Sequence, residues 1–335
     1  MSRPTTRATR LTVLALGVTA GVTLTACGGG SDDGAADKPT TSASPTPRGV
    51  VTKEKAKELL DTYEQVNNRA NKAHDEKLLA TVEGGQVHEQ SKADYRLMST
   101  WSAKERKGYG SPFFYRDREY YLPSSGTWFA VKARPSSDPK DEALLVFEKE
   151  GSTYKMVSSA YTATGSIPKI AVDRNGLATV ADPSTKVGAY APDQLGAAYE
   201  DFFETGGKKA GKRFATTEAT KGSLKVYADR NDGEAGRWSN TSYFAAKPAH
   251  PTVYALKLAD GGVLALFPTA HTQEQLLKPA YRSSFQINPS KTEAVYNPAK
   301  RTVVTDTFQG LGLAELPSAG KPDVTTIEYR MVDSR

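Results

Sequence analysis

Sulfur, imidazole and long apolar runs are all scarce in this chain of 335 residues, and each scarcity closes off some chemistry. One cysteine, Cys27, can form no disulfide within the chain and supplies no second thiolate for a Cys-ligated zinc. The four histidines are His74, His88, His250 and His271; none forms an H-x-x-x-H pair and no two lie closer than 14 residues, which disfavours a hydrolytic zinc enzyme. His74-Asp75-Glu76 and His88-Glu89 do place acids beside imidazoles, but adjacent side chains on a helix or turn point to different sides. The nucleophile signature G-x-S-x-G is missing. S-x-x-K occurs at Ser152 to Lys155 and at Ser166 to Lys169, yet its companions S-D-N and K-T-G are absent and the first copy falls in a predicted strand. Beyond the N-terminus no run approaches 18 apolar residues, so no membrane-spanning helix is expected.

What is present begins with the N-terminus. Arg3, Arg7 and Arg10 stand among the first ten residues with no acid, and Leu11 to Leu24 is a run of 14 uncharged, mostly apolar residues. That is the charged region and short apolar region of a secretory signal, too short for a permanent span of roughly 20 residues. Arg7 and Arg10 are not adjacent, so there is no twin-arginine signal and export is expected to proceed unfolded. Leu24-Thr25-Ala26-Cys27 then resembles a bacterial lipobox, in which the thiol takes a diacylglyceryl group by thioether and the signal is cut just before it. The resemblance implies a stable acyl anchor at Cys27 on the extracytoplasmic face of the cell membrane, with the chain anchored to the bilayer and not crossing it. It also leaves the folded part without a thiol nucleophile.

Loss of residues 1–26 lowers Lys plus Arg from 44 to 41 against 38 acids, so the charge of the processed chain is about +3 rather than +6. Such a weakly positive surface suits a place beside anionic lipid and wall polymers and carries no nucleic-acid signature, which needs a concentrated basic stripe. Residues 28–48 (GGGSDDGAADKPTTSASPTPR) contain no aliphatic side chain larger than Ala and read as a disordered tether of 27–50, with a reach of roughly 25 Å. The remainder is long enough for two domains.

An internal repeat organises that remainder. Leu59-x-x-x-Tyr63-Glu64-x-Val66 recurs as Leu195-x-x-x-Tyr199-Glu200-x-Phe202, and Ala80-Thr81-Val82-Glu83 matches Ala215-Thr216-Thr217-Glu218. Each copy opens with a helix. Thr52 caps a stripe of Ala56, Leu59, Leu60, Tyr63, Val66, Ala70 and Ala73, and Pro192 starts a stripe of Leu195, Ala198, Tyr199, Phe202 and Phe203 that Gly206-Gly207 ends. A polar segment with room for a shorter helix follows each, and then strands. Those of the first copy are expected at 113–122, 127–133, 143–148 and 153–162, and those of the second at 242–245, 252–258, 262–267, 283–287, 302–308 and 324–332. Asn175-Gly176 signals a hairpin between the copies.

The expected class is therefore α+β: two tandem repeats, each with N-terminal helices packed on a curved antiparallel sheet, at 51–165 and 191–335, joined by a hairpin linker at 166–190. In order and length of elements this resembles the nuclear-transport-factor-2-like, or cystatin-like, superfamily. The lipobox, the tether and the stretch Ile167-Pro168-Lys169-Ile170-Ala171-Val172-Asp173 with Gly176 resemble actinobacterial lipoproteins that carry a domain of unknown function. That resemblance implies no particular activity.

The remaining motifs are weak. Gly206-Gly207-Lys208-Lys209-Ala210-Gly211-Lys212-Arg213 fits G-x-x-x-x-G-K but has Arg213 where a phosphate-binding loop needs Ser or Thr, and a helix precedes it where a strand is required. What survives there is an electropositive spot, Lys208, Lys209, Lys212 and Arg213, suited to an anionic polymer or lipid headgroup. Asp229-Arg230-Asn231-Asp232-Gly233-Glu234 has the acids of a calcium loop without its spacing. Tyr115, Tyr120, Tyr121 and Trp128 are the densest aromatic group, at the alternating spacing of a packed strand. No catalytic, cofactor or metal site is expected. Three functions compete: a non-catalytic binding or scaffold module whose partner is an envelope protein or wall polymer, a small-ligand or isomerase-like site in a cone-shaped pocket, and the solute-binding lipoprotein of a transporter, which requires alternating β-α-β units.

Overall fold

The computed structural model of the protein describes residues 49–335; the signal segment, Cys27 and the tether up to residue 48 lie outside the described residues. Thr52 caps the first helix, α1 (Lys53–Ala73), by accepting from Lys55 N at 3.1 Å. The stripe Ala56, Leu60, Tyr63, Val66 and Ala70 is buried as its spacing requires, whereas Ala73 is exposed in the last turn before His74 takes a left-handed cap at φ 56°. Three shorter helices follow: α2 (Glu76–Leu79), α3 (Gly85–Leu97) and α4 (Ala103–Tyr109). The first sheet is an antiparallel meander of β1 (Tyr115–Tyr121), β2 (Trp128–Pro135), β3 (Asp141–Glu150) and β4 (Thr153–Ala163).

The second half also opens with helices. Pro192 opens a 3-10 turn that continues into α5 (Leu195–Tyr199) and α6 (Asp201–Glu204), until Gly206 and Gly207 adopt φ +72° and +73° and end the helical run. Next come α7 (Glu218–Asp229), α8 (Ala235–Trp238), β5 (Ser239–Ala245), β6 (Tyr254–Lys257), β7 (Val263–Leu277), α9 (Lys291–Tyr296), β8 (Val303–Leu316) and β9 (Asp323–Ser334). They form a second antiparallel sheet in the order β5-β7-β8-β9, with β6 also on β7. All seven strand pairs are antiparallel, so the β-α-β units that a transporter's solute-binding protein requires do not occur among the described residues.

Alternation of side chains along the strands gives three cores and four layers. Phe129, Val131, Leu145, Phe147 and Met156 on one face of the first sheet pack against Leu60, Tyr63 and Val66 of α1. The opposite face, Ala130, Leu144, Val146 and Val157, packs directly on Leu256, Leu264, Leu266 and Leu313 of the second sheet. The second sheet's outer face, Val263, Ala265, Phe267, Ala314 and Leu316, carries Leu195, Tyr199, Phe202 and Phe203. The layers are thus helices, sheet, sheet, helices, and residues 48–335 cluster as one compact unit. Helix α3 bolts the halves together with polar contacts: Gln86 donates to Gln309 Oε1 at 2.7 Å, Gln90 to Glu328 O at 3.1 Å, and Arg330 reaches Asp94 at 3.0 Å.

Two strands depart from the sequence expectation. The strand expected at 262–267 runs on to Leu277 through Pro268, a residue that cannot donate to a ladder. β6 pairs with β7 only up to Leu266 and β5 only from His271, so Pro268 falls in the gap between two half-length neighbours. The strand expected at 283–287 is absent. That segment lies in the 25-residue connection 278–302, where only Ile287 and Arg301 bridge. The Asn175-Gly176 turn forms with Gly176 at φ +76°, but its flanks pair only as isolated bridges, Val172 with Ala178 and Val180 with Leu256.

Candidate functional site

The basic turn predicted as an anion contact wraps around a carboxylate of its own chain. Asp201 Oδ2 accepts from Lys209 N at 2.8 Å and Gly211 N at 2.9 Å, and its Oδ1 accepts from Thr205 Oγ1 at 2.5 Å. The backbone donors that would cradle a phosphate are therefore already occupied. Lys208, Lys209, Lys212 and Arg213 all point to solvent, and among the described residues none forms an ion pair. Arg213 lies 5.7 Å from the Tyr190 ring centroid.

The histidines are brought to four separate environments. His74 is the exposed cap of α1, and His250, also exposed, approaches Glu89 at 3.4 Å. His88 lies 3.9 Å from the buried Glu83, whose Oε1 accepts from Tyr63 Oη at 3.0 Å and from Asn67 at 3.2 Å. His271 is enclosed in the second half, its Nδ1 2.8 Å from Glu200 Oε2. Glu200 Oε1 also accepts from Thr269 and, at 2.7 Å, from Tyr329 Oη. Burial first, and the Glu200 charge second, hold the Tyr329 phenol well above its ordinary pKa. Rings of Phe203, Tyr243, Phe308 and Tyr329 surround His271 with centroids between 4.5 and 5.6 Å, so this acid-base pair is walled in and serves the core. Among the described residues no group of three or more metal-ligating side chains converges. Ser152 and Ser166 are exposed in turns, and the exposed Asp229–Glu234 segment pairs Asp229 with Lys225 at 2.6 Å.

The dense aromatic group at 115–128 packs inward, with Tyr115 buried and Trp128 edge-on to Tyr254 at 5.3 Å. Exposed aromatics stand elsewhere, at Trp238 on the end of α8 and at Phe285 in the β7–β8 connection, with the partly buried Tyr281 between them. Trp238 stands 4.9 Å from Tyr281 and 5.6 Å from Phe285, and 39% of Trp238 and 51% of Phe285 is open to solvent. Phe285 borders a shallow groove of about 400 Å3 whose polar lining includes Arg282, Gln286, Asn288 and Lys300. The connection carries Lys278, Arg282, Lys291, Lys300 and Arg301 against the single acid Glu293. It is held in shape by the Ile287–Arg301 bridge and by Tyr296, whose hydroxyl donates to Met331 O of β9 at 2.9 Å. The connection contains a 3-10 turn at Pro279–Tyr281 and α9, and its one sequence signal was its excess of basic residues. Reading 283–287 as a strand concealed it.

A model of the family described as a domain of unknown function, DUF8094, matches residues 47–335, which is the whole of the described body. The chain belongs to the DUF8094 family. An uncharacterized lipoprotein of Streptomyces coelicolor is 33% identical over 340 residues, covering 96% of this chain and 93% of that protein. A second uncharacterized lipoprotein, from Streptomyces avermitilis, is 25% identical over 234 residues and covers 68% of each chain. No solved structure matches. The chain is thus a member of a lipoprotein family, and no described helix is long and apolar enough to cross a membrane.

Proposed function

We propose that this DUF8094 protein is a non-catalytic binding module, anchored through a lipid on Cys27 at the extracytoplasmic face, that holds an anionic, sugar-containing wall polymer. The observation that carries this reading is the exposed pair Trp238 and Phe285, backed by Tyr281, beside a polar groove on a connection of net charge +4. Aromatic faces cover the apolar face of a sugar ring, Asn and Gln exchange hydrogen bonds with its hydroxyls, and Arg282 and Lys300 meet acidic groups. The exposed cations Lys208, Lys209, Lys212 and Arg213 offer a second, electrostatic contact to the same polymer. The tether keeps the module within roughly 25 Å of the bilayer, so a weak surface site acts at high effective concentration.

The body is best read as two copies of one plan, at 51–165 and 191–335 with the segment 166–190 between. Supporting that reading, Glu64 and Glu200 both reach from the first helix to the sheet, Glu64 to Tyr115 N at 2.7 Å and Glu200 to Tyr329. Tyr63 and Tyr199 likewise both hydrogen-bond a buried polar residue farther along the chain, Glu83 in the turn before α3 and Ser223 in α7.

The test is retention of the solubilised lipoprotein on purified cell wall from a related actinobacterium. Trp238→Ala with Phe285→Ala is expected to abolish retention while thermal unfolding stays near wild type. Cys27→Ser is expected to move the protein from the membrane fraction to the soluble fraction with wall binding intact. Undiminished retention of the double variant would sink the platform as the binding surface.

A further inference from the structure

A second, smaller opening lies at the seam where the two sheets meet, lined by residues of both sheets and by Gly85 and Gln86 of α3. Along β3 the inter-sheet face runs Leu144, Val146, Glu148, Glu150, so strand alternation carries an apolar stripe into two carboxylates at the sheet's end. A bulge in β4 changes the opposing strand: Val146 pairs with Ser158 and Phe147 with Met156, leaving Val157 as the extra residue. Val157 and Ser158 then both border the opening, together with Leu311 and Tyr254. The space is about 60 Å3, which admits roughly four water-sized positions.

Three observations define what this cleft accepts. Ser158 is 2% exposed and among the described residues its hydroxyl has no hydrogen-bond partner, an arrangement that native interiors rarely keep without a ligand or water to satisfy it. Glu150 is compensated by Lys155 at 3.3 Å and sits against Gly84 at the start of α3, where a helix N-terminus favours negative charge. Among the described residues Glu148 is held by neutral hydroxyls alone, Tyr254 Oη at 2.6 Å and Thr127 Oγ1 at 3.1 Å. Two hydroxyl bonds leave lone-pair capacity and the full charge of that carboxylate unspent.

We infer that this cleft binds a primary ammonium group, with Glu148 and Ser158 accepting its hydrogen bonds and Val157 and Leu311 lining the path of its alkyl stem. An anion is disfavoured by the Glu148 carboxylate, which no cation compensates among the described residues. A metal ion lacks ligands, because among the described residues no group of three or more ligating side chains converges. A quaternary ammonium has no N–H to donate and is too bulky for a space of this size. Such an amine comes either from a free diamine or from the side chain of a peptide, and the two sources share one chemistry. The inference is independent of the aromatic platform, since no residue of one borders the other.

Titration calorimetry on the solubilised full-length lipoprotein tests it with three probes: 1,5-diaminopentane, Nα-acetyl-lysine amide and tetramethylammonium. The first two are expected to bind with Kd about 1 mM, ordinary for a single small group, and the third not to bind. Glu148→Gln is expected to weaken binding about tenfold, the scale of a lost charge-assisted hydrogen bond. Ser158→Ala removes a hydroxyl that has no partner in the free protein, so it is expected to weaken binding severalfold while leaving the melting temperature equal or higher. That variant keeps the test decisive even where Glu148→Gln folds poorly. Binding of the diamine alone assigns a free amine as the natural ligand, and binding of the lysine amide assigns a peptide-borne one. Absence of heat with both amines, equal binding of tetramethylammonium, or a Ser158→Ala affinity unchanged from wild type would each overturn the inference.

Discussion

Removal of the Glu200 carboxylate is the sharpest probe of how the second half is held together. Glu200 is 1% exposed and receives three hydrogen bonds, from Thr269, His271 and Tyr329. In Glu200→Ala, Thr269 keeps its other partner, Gly196 O at 3.1 Å, so its hydroxyl stays satisfied. Tyr329 Oη and His271 Nδ1 do not, and each orphaned buried donor costs about 1–3 kcal/mol. The emptied space adds to this, giving an expected loss of about 3–5 kcal/mol, the range for breaking a buried pair from one side. Glu200→Gln keeps the shape and an acceptor for Tyr329, and a change of tautomer lets His271 Nδ1 accept from the new amide; its expected loss is about 1–2 kcal/mol. Urea unfolding followed by far-UV circular dichroism measures both at constant m-value. A Glu200→Ala loss below about 1 kcal/mol would refute the claim that this carboxylate organises the core, since that is the scale of an ordinary surface change.

Other consequences follow from the same geometry. The Cβ of Gly312→Ala would enter the ring of Phe267 on β7, so this variant is expected to lose about 1–3 kcal/mol in the same urea assay. Asp201→Ala frees the turn that its carboxylate ties to Lys209 N and Gly211 N, and limited trypsin digestion is expected to cut at Lys208, Lys209, Lys212 or Arg213 several times faster than in wild type. Burial pushes the Tyr296 phenol up to about 12 from the ordinary 10, against the opposing charge of Arg96. A phenol with a raised folded-state pKa contributes stability that is complete below pH 10 and is lost as pH rises toward 12. Tyr63, Tyr115 and Tyr329 are raised further by burial and add to the same loss, so ultraviolet titration at alkaline pH should show them ionising only together with unfolding.

Legibility of this protein in its sequence followed the range of the interactions. Thr52, Pro192 and Gly206-Gly207 are local signals, read by the backbone within three or four residues, and the helices begin and end where they stand. The apolar runs at 127–133 and 143–148, bounded by turn residues, likewise announced β2 and β3, because a strand buried on both faces needs apolar side chains on each. The length of β7 was not legible, since Pro268 reads as a stop until the gap between β5 and β6 shows that no neighbour needs its missing N–H. The exposed platform stayed hidden for a related reason: Trp238 and Phe285 are 47 residues apart, and their contact depends on where α8 and the β7–β8 connection meet.

By itself the sequence determined the lipobox resemblance at Cys27, the α+β class, the helix caps and the absence of thiol chemistry from the body. These rest on composition and on contacts a few residues long, which need no knowledge of the partner surface. Only the tertiary structure decided that the two sheets pack back to back, that Asp201 fills the turn that looked like a phosphate loop, and that Glu148 and the Ser158 hydroxyl share a cleft. Each of those depends on which faces are buried against each other, and hydrophobic burial is non-directional, so the pattern of apolar residues names the faces without naming their partners.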